Sequence, residues 1–299
     1  MTALPFDDRD GWIWLDGSLV PWRDARLHVL SHGLHYASAV FEGERAYGGR
    51  IFRLREHTER LIGSGRILGF EIPFAAEAID AACEAVLRAN GLTDGYVRPI
   101  AWRGSEQLAV SATGTSIHLA IGAWPWPSYF GTERMRGIRV AEAAWRRPSP
   151  ETAPVHAKAS GLYMIGSLSK LKAEQEGCSD ALMLDWRGLV AETTGANIFL
   201  VIDGEVHTPV PDCFLDGITR RTVIGLARRN QMKVVERQIR PEELGRASEV
   251  FLTGTAAEVT AVREIGAHRF TPGAITETLM KDYDRLVLAP AEAVAGVVG

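Results

Sequence analysis

The sequence predicts a two-domain protein of the α+β class. Its 299 residues with 46% hydrophobic content are enough to build two cores. Strand-forming runs and helical segments occur in it without regular strand–helix alternation. Near the middle, residues 124–131 combine prolines and a glycine with aromatic residues, which interrupts any central strand. We therefore predict an N-terminal domain at 1–123, a linker at 124–136 and a C-terminal domain at 137–299.

The N-terminal part predicts a hairpin, two helices and two strands. Asp16-Gly17 between two short apolar runs is a strong hairpin signal. Leucines at heptad spacing and a second apolar stripe predict the helices, and runs rich in β-formers predict the strands. The helices are expected at 54–68 and 75–90, and the strands at 95–102 and 116–124.

The C-terminal part predicts six strands and two helices. The first strand is expected directly after the linker, and one helix follows Lys158. The strands are expected at 137–144, 181–184, 189–192, 197–202, 206–208 and 250–252, and the helices at 162–176 and 218–230.

Charge and cysteine content exclude several classes of function. A formal charge of −4 and a pI near 6.1 argue against nucleic acid as a partner and against a basic membrane patch. Apolar runs are too short to span a bilayer, and the first residues do not resemble a signal peptide. The scattered Cys83, Cys178 and Cys213 predict neither a disulfide framework nor a zinc site. A cytoplasmic protein without a metal is expected.

One lysine lies in an unusual sequence context. Lys158 is surrounded by small residues in the segment 157–161, Ala-Lys-Ala-Ser-Gly. The other four lysines lie in charged or polar stretches: Lys170, Lys172, Lys233 and Lys281. A lysine amine in a confined site can lose its proton and form a Schiff base with a carbonyl cofactor. A loop lysine in a turn is the alternative that the local context leaves open.

Two segments have the character of anion sites. Gly217-Ile218-Thr219 begins a predicted helix, whose first N–H groups and positive dipole end favour an anion. Residues 253–258, Thr-Gly-Thr-Ala-Ala-Glu, follow a short strand and offer N–H groups and the Thr255 hydroxyl. Simple helix capping and a glycine-containing turn are the respective alternatives.

Two charged residues are further candidates. Arg60 adjoins the apolar stripe of its helix; it could point inward to an anion or pair at the surface with Glu56. Glu192 ends a predicted strand, where it could pair with a protonated ring nitrogen or cap a turn.

Nine segments in order resemble the class IV (fold type IV) pyridoxal-phosphate aminotransferases, most of all the branched-chain amino-acid aminotransferases. The resemblance covers nearly the whole chain. The segments are 27–36, 40–45, 52–60, 96–99, 157–159, 191–192, 197–199, 217–220 and 253–258.

The resemblance implies the two-domain fold of that family and pyridoxal 5'-phosphate as the cofactor. Lys158 would carry the cofactor and move protons, Tyr163 would bond its phenolic oxygen, and Glu192 would bond the pyridine nitrogen and keep the ring an electron sink. The phosphate site that the resemblance implies consists of Arg60, Gly217, Ile218, Thr219 and Thr255.

The resemblance also implies a substrate site. A polar end would hold carboxylates, including the distal carboxylate of 2-oxoglutarate or glutamate, and an apolar pocket would hold branched side chains. The polar end would comprise Arg45, Tyr96, Arg98 and the backbone at Thr255 and Ala256. The apolar pocket would comprise Tyr36, Phe41, Trp126 and Tyr129.

The chain departs from the family at three charged positions. Arg103 and Glu106 flank or enter the turn 105–110, where the branched-chain enzymes usually carry a Gly-Met-Gly-Val-type turn that lines the partner subunit's pocket. Glu44 replaces an apolar residue next to Arg45. These changes touch substrate choice rather than the cofactor site.

The resemblance predicts a homodimer or higher homo-oligomer that transfers an amino group from a branched-chain L-amino acid to a 2-oxo acid by ping-pong chemistry. An (R)-amine or D-amino-acid transaminase of the same fold is the alternative that the departures keep open. A 4-amino-4-deoxychorismate lyase is a third possibility, against which Tyr96 with Arg98 and the aromatic pocket argue.

Overall fold

The computed structural model describes residues 5–126, 133–290, 294, 296 and 297. The chain divides into two compact units. The first comprises Met1–Pro127 with Ala157–Gly161, and the second comprises Ser128–His156 with Leu162–Gly299.

Backbone hydrogen bonds explain why the short segment Ala157–Gly161 groups with the first unit. Ala159 forms an antiparallel bridge with Val40, and the Phe41 N–H donates to the Lys158 carbonyl at 3.1 Å. The Lys158 N–H donates to Ser64 Oγ at 3.0 Å. By its contacts, Lys158 therefore belongs to the first unit, whereas a single cut in the sequence puts it in the C-terminal domain.

The first unit contains a seven-stranded sheet and three helices. The strands run in the order β2-β1-β7-β6-β4-β5, and β3 also pairs with β6. The elements are β1 (Trp12–Leu15), β2 (Ser18–Pro21), α1 (His32–His35), β3 (Ala39–Phe41), β4 (Glu44–Tyr47), β5 (Arg50–Ile51), α2 (Leu54–Ile67), α3 (Ala76–Ala89), β6 (Gly95–Arg103) and β7 (Ile117–Pro125).

The hairpin, the two long helices and the two strands predicted for this unit are all present. The hairpin turn has Asp16 and Gly17 at φ 47° and 105°, the left-handed backbone that a tight hairpin turn needs. Asp16 Oδ1 also accepts from the Leu119 N–H at 2.8 Å, which ties the turn to β7. Helices α2 and α3 pack a shared core with β4, β6 and β7.

The second unit contains a nine-stranded sheet. Its order is β10-β9-β8-β15-β14-β11-β12-β13, and β16 pairs with β15. The elements are α4 (Glu133–Arg136), β8 (Ile138–Glu142), α5 (Met164–Gln175), β9 (Asp180–Leu184), β10 (Val190–Thr193), β11 (Asn197–Ile202), β12 (Glu205–Pro209), α6 (Ile218–Arg229), β13 (Val234–Arg237), β14 (Glu249–Gly254), β15 (Glu258–Ile265), β16 (His268–Arg269) and α7 (Ala274–Leu288).

All the elements predicted for this part are present, and their ends shift only slightly. Elements that had no sequence prediction are α4, β13, β15, β16 and α7. Parallel pairing joins β15 to β8, β8 to β9 and β12 to β13, and the remaining pairs are antiparallel. The mixture of pairings and the grouped helices fit the α+β class. No helix in the described part of the chain has the length and apolar character needed to cross a membrane.

Candidate active site

Lys158 is held by its backbone in the first unit. Its neighbours Ala157 and Ala159 are buried, while Lys158 itself is half-buried. The bonds to Ser64 and Phe41 fix the peptide groups on either side of the lysine. Its Nζ lies 5.2 Å from the centre of the Phe41 ring. The small flanking residues thus allow a close, rigid backbone approach, and the side chain lies against an aromatic ring.

Arg60 points inward from α2 to a buried carboxylate. Its Nε donates to Glu42 Oε1 at 2.6 Å and its Nη2 donates to Glu42 Oε2 at 2.8 Å. The inward orientation that the sequence left open is the one observed, and Glu56 pairs with Arg53.

The Glu42 carboxylate is fully buried and has a second basic neighbour. His57 Nδ1 lies 2.7 Å from Glu42 Oε2. Burial alone would raise the pKa of the Glu42 carboxyl, but the charge of Arg60 and the hydrogen bonds from Arg60 and His57 hold that pKa well below its usual range. Burial also lowers the pKa of His57, despite the nearby carboxylate, so the imidazole is neutral at pH 7 and its Nδ1–H donates.

The three side chains predicted for the polar end lie on one face of the first sheet. Arg45 in β4 lies opposite Tyr96 in β6, and cross-strand partners share a face. Arg98 lies two residues along β6 on the same face, and its Nη2 donates to the Tyr96 hydroxyl at 3.3 Å. Its guanidinium lies 4.7 Å from the centre of the Phe41 ring. Phe41 therefore contacts the cations of both Arg98 and Lys158.

Aromatic rings continue this surface. Tyr96 packs against Trp126 with ring centres 5.0 Å apart. The approach of Tyr96 depends on Gly43, since a Cβ built there would lie 1.8 Å from the Tyr96 hydroxyl. Tyr36 is 45% exposed, and within the described residues its ring contact is with His32. Tyr129 lies outside the described residues.

Two of the three unexpected ionisable residues, Arg103 and Glu106, have hydrogen-bond partners within the first unit, and the third, Glu44, is buried there. Arg103 Nη2 donates to the Gly69 carbonyl at 2.7 Å, just beyond the end of α2. Glu106 accepts from the Ser116 N–H at 3.0 Å and so closes the turn. Glu44 alternates with Arg45 along β4 and faces the opposite side of the sheet, toward Cys83 of α3. The interpretation that Glu44 touches substrate choice therefore has no contact to support it.

In the second unit, Glu192 lies on neighbouring strands with Asn197. The two residues are partners across β10 and β11, and Asn197 Nδ2 lies 3.3 Å from Glu192 Oε2. Asn197 Nδ2 also donates to the Leu215 carbonyl at 3.1 Å. On its other side, Glu192 Oε1 lies 3.3 Å from Arg147 Nε. The carboxylate is thus oriented by an amide and a guanidinium.

The start of α6 adjoins the same strands. Gly217 precedes the helix in an extended conformation, and no side chain caps the helix there. A Cβ on Gly217 would lie 2.2 Å from Asn197 Oδ1, so only glycine permits this approach. Ile218 and Thr219 are buried in the first turn. The N–H groups of a first helical turn attract anions.

The loop after β14 lies next to these groups in the sheet. Thr253 is the β14 partner of Asn197, and its buried Oγ1 has no hydrogen-bond partner among the described residues. Gly254 packs on Ala196. Thr255 and Ala256 are half-buried in the turn that follows. The second unit therefore brings Glu192, the α6 terminus and this turn to one region.

Tyr163 lies at the junction between a short 3-10 turn, Ser160–Tyr163, and α5. Its side chain is half-buried. A separate group of potential metal ligands occurs in the second unit at Asp185, Asp212 and Cys213. Arg187 Nη2 lies 2.7 Å from Asp185 and 2.6 Å from Asp212, so a cation already occupies the space between these carboxylates.

Sequence reasoning missed four residues that orient the site. They are Glu42, His57, Arg147 and Asn197. Only Asn197 stands among small and apolar residues, a setting that signals a buried, paired polar group; each of the other three has a charged residue within two positions, so no local signal marks it.

Comparisons with known proteins give a consistent result. The family model of amino-transferase class IV matches residues 39–265. A branched-chain-amino-acid aminotransferase of Pseudomonas aeruginosa is 43% identical over 294 residues, covering 96% of each chain. One of Escherichia coli strain K12 is 40% identical over 261 residues, covering 85% of this chain and 84% of its own.

Solved structures agree with these relatives. The branched-chain aminotransferase of Thermoproteus uzoniensis with norvaline has a TM-score of 0.90 at 39% identity, covering 94% of this chain and 95% of that one. The branched-chain amino acid aminotransferase of Thermobaculum terrenum in its PLP (holo) form has a TM-score of 0.86 at 31% identity, covering 93% and 94%.

Proposed function

Because the chain belongs to the class IV aminotransferases, we propose that it transfers the amino group of a branched-chain L-amino acid to a 2-oxo acid such as 2-oxoglutarate, with pyridoxal phosphate as cofactor. The observation that carries the substrate assignment is the 43% identity, over 96% of the chain, to a branched-chain-amino-acid aminotransferase.

The chemistry of the side chains fits this cofactor. Pyridoxal phosphate needs an amine for its aldehyde, an acceptor for its pyridine N–H and an anion site for its phosphate. Lys158 offers the amine from a fixed backbone. Glu192 offers an oriented carboxylate, and the uncapped start of α6 offers backbone donors.

When bound, the cofactor supplies an electron sink for the carbon that loses its proton. Lys158 would hold the cofactor through its aldehyde, and once the amino donor has displaced the lysine nitrogen, the freed amine would take and return that proton. Glu192 would hold the proton on the pyridine nitrogen, and the hydrogen bond from Asn197 and the ion pair with Arg147 keep its carboxylate oriented for that role. Tyr163 donates a hydrogen bond to the ring oxygen.

The phosphate is held by charge and by backbone donors. Arg60 supplies the guanidinium and Thr255 a hydroxyl. Gly217, Ile218 and Thr219 supply the helix terminus, which favours a dianion by its dipole as well as by its N–H groups.

The substrate is held by the polar and aromatic face of the first sheet. Arg45, Tyr96 and Arg98 bind carboxylate oxygens, and the backbone at Ala256 supplies a further donor. The aromatic surface of Phe41 and Trp126 would receive the branched side chain, and the sequence resemblance adds Tyr36 and Tyr129 to this pocket.

The alternatives are less well supported. The relatives from Pseudomonas, Rickettsia and Escherichia all carry branched-chain names. The charges that had kept the (R)-amine and D-amino-acid alternatives open, Arg103 and Glu106, are engaged by the protein itself. The retained Tyr96 and Arg98 also argue against the lyase.

A donor panel tests this function. L-Leucine, D-alanine and (R)-1-phenylethylamine are each supplied with 2-oxoglutarate, and glutamate formation is followed in wild type and in Lys158→Ala. We expect kcat/KM to be highest for L-leucine and turnover to vanish in Lys158→Ala. A higher kcat/KM for the (R)-amine or the D-amino acid would overturn the substrate assignment.

We also propose a homodimer in the cytoplasm. Free Cys83, Cys178 and Cys213 suit a reducing compartment. The first unit has an exposed apolar patch, in which Val29, Leu34 and Val110 are 68%, 63% and 86% exposed. Exposed apolar patches mark protein–protein interaction sites. His32 joins the two parts of this patch, because its N–H donates to the Gly104 carbonyl and its Nε2 lies 3.0 Å from the Ala109 carbonyl.

Substitution within this patch tests the dimer. Val110→Glu should shift the mass measured by light scattering from dimer to monomer, because a charge would be buried at the interface. Leu288→Glu, at another exposed apolar site, should leave the mass unchanged. A wild-type monomer would refute the proposal.

A further inference from the structure

Glu42 is a charged residue without a role in the proposed reaction, yet it is fully buried in the first unit. It lies between β3 and β4, and its own N–H donates to the Pro99 carbonyl at 2.8 Å. Its backbone is therefore anchored to β6. A buried carboxylate persists only where hydrogen bonds and an opposite charge replace its water.

The Glu42 carboxylate accepts two hydrogen bonds from one edge of the Arg60 guanidinium. The bonds from Nε and Nη2 are parallel, which fixes the plane of the guanidinium as well as its position. His57 and the Gly43 N–H bond Oε2 from other directions, at 2.7 and 3.2 Å, so the carboxylate cannot rotate. Arginine carries five N–H donors, and Glu42 engages two of them.

The same short segment also holds the cofactor lysine. Phe41, the residue before Glu42, donates its N–H to the Lys158 carbonyl, and Ser64, one turn beyond Arg60 on α2, accepts the Lys158 N–H. Glu42 therefore links β3, which is hydrogen-bonded to the Lys158 backbone, to α2, which carries Arg60.

We propose that Glu42 is a positioning residue for the cofactor phosphate, which holds the Arg60 guanidinium at a fixed place and orientation relative to Lys158. This inference rests on the proposed function, in which Arg60 binds the phosphate. Glu42 touches neither cofactor nor substrate; it acts through Arg60. A cofactor that is held at both its aldehyde and its phosphate requires a fixed distance between the Lys158 amine and the Arg60 guanidinium. The hydrogen bonds of Glu42 and its neighbours fix that distance.

Glu42→Gln is the informative substitution. The amide has nearly the shape of the carboxylate, can still accept one bond from Arg60, and can donate to His57 Nδ1 after a change of imidazole tautomer. The NH2 group of glutamine cannot accept the second hydrogen bond from Arg60. The bidentate interaction is therefore lost while the volume of the side chain is kept. Glu77→Gln is the matched control, because Glu77 pairs with Arg55 of the same helix but is exposed.

The experiment measures dissociation constants of pyridoxal 5'-phosphate and of pyridoxal, which lacks the phosphate, by reconstituting apoenzyme and recording the absorbance of the bound cofactor. The variants are Glu42→Gln, Arg60→Ala, the double variant and Glu77→Gln, and circular dichroism checks that each is folded. Glu42→Gln should weaken binding of the phosphate form about 10- to 100-fold, the range found when a partner that orients a ligating residue is removed at metal sites. Pyridoxal affinity and Glu77→Gln should be unchanged.

The outcomes separate this inference from the function on which it rests. In the double variant, affinity should equal that of Arg60→Ala, since Glu42 acts through Arg60. Equal weakening of both cofactor forms, or additive losses in the double variant, would overturn the positioning role and leave the phosphate role of Arg60 intact. If Arg60→Ala itself retains wild-type affinity, the assignment of Arg60 in the proposed function fails instead.

Discussion

Removing the Glu44 carboxyl should make the protein more stable at neutral pH. Neither carboxyl oxygen has a hydrogen-bond partner of good geometry among the described residues, and the side chain is fully buried beside Cys83. Burial, followed by the charges of Glu42 and Asp80, raises the pKa of Glu44 well above its usual value of 4.5. Folded protein therefore keeps a proton on Glu44 that the unfolded chain loses above pH 4.5.

The sign of the pH dependence follows from that difference. Above pH 4.5 the folded state binds more protons at this group than the unfolded state, so the free energy of unfolding falls as pH rises, until the raised folded pKa is reached. The slope is up to about 1.4 kcal/mol per pH unit. Between about pH 5 and pH 7, the free energy of unfolding of Glu44→Gln should therefore rise relative to that of wild type as pH rises. Glu44→Met should gain a further ~1–3 kcal/mol at every pH, because the unsatisfied polar atoms are gone.

The free energy of unfolding is measured by urea unfolding at pH 5, 6 and 7 in the presence of saturating cofactor. Glu77→Gln, at an exposed position, is the control that should match wild type. The difference between Glu44→Gln and wild type should grow with pH. A constant difference, or a wild type more stable than both variants at pH 7, would refute the description of Glu44 as a buried, protonated acid without hydrogen-bond partners.

Three further predictions follow from close contacts. In Gly43→Ala the new Cβ would lie 1.8 Å from the Tyr96 hydroxyl. This variant should lower kcat/KM for L-leucine about 10- to 100-fold and retain its cofactor affinity. The control Gly63→Ala, whose Cβ would meet no atom within 4 Å, should keep the wild-type kcat/KM. Gly217→Ala should weaken cofactor binding about tenfold or more by displacing Asn197 from the start of α6. The control Gly195→Ala, whose Cβ would meet no atom within 4 Å, should bind the cofactor as wild type does. Equal cofactor affinities of the two variants would contradict the anion site at α6. Arg103→Met should lower the free energy of unfolding by about 1 kcal/mol and leave the donor preference unchanged; a shift toward (R)-amines would show that Arg103 contacts substrate.

The local elements and the constrained backbone around Lys158 could be predicted from the sequence. The turn at Asp16-Gly17 and the stripes of α2 and α3 are local signals, and the fold forms them as predicted. The setting of Lys158 among small residues likewise reflects a local need, since its peptide groups bond Phe41 and Ser64 at close range.

The partners of charged residues could not be predicted, because they depend on contacts distant in sequence. Arg60 meets Glu42 rather than Glu56 since the helix rotation that buries Leu61 also turns Arg60 toward the sheet. Arg103 reaches carbonyls 34 and 35 residues away. Glu44 faces the core and Arg45 the opposite side because strand residues alternate, and only the pairing with β6 decides which side is which. The segment around Lys158 groups with the first unit by bonds to β3 and α2, which no linker pattern reveals.

The attachment point of the cofactor tests the central claim most directly. Enzyme isolated with pyridoxal phosphate is reduced with borohydride and digested, and the modified peptide is identified by mass spectrometry. We predict a single adduct on Lys158, absent from Lys158→Ala. An adduct on Lys170, Lys172, Lys233 or Lys281 in its place, or no adduct at all, would contradict the assignment of this chain's active site.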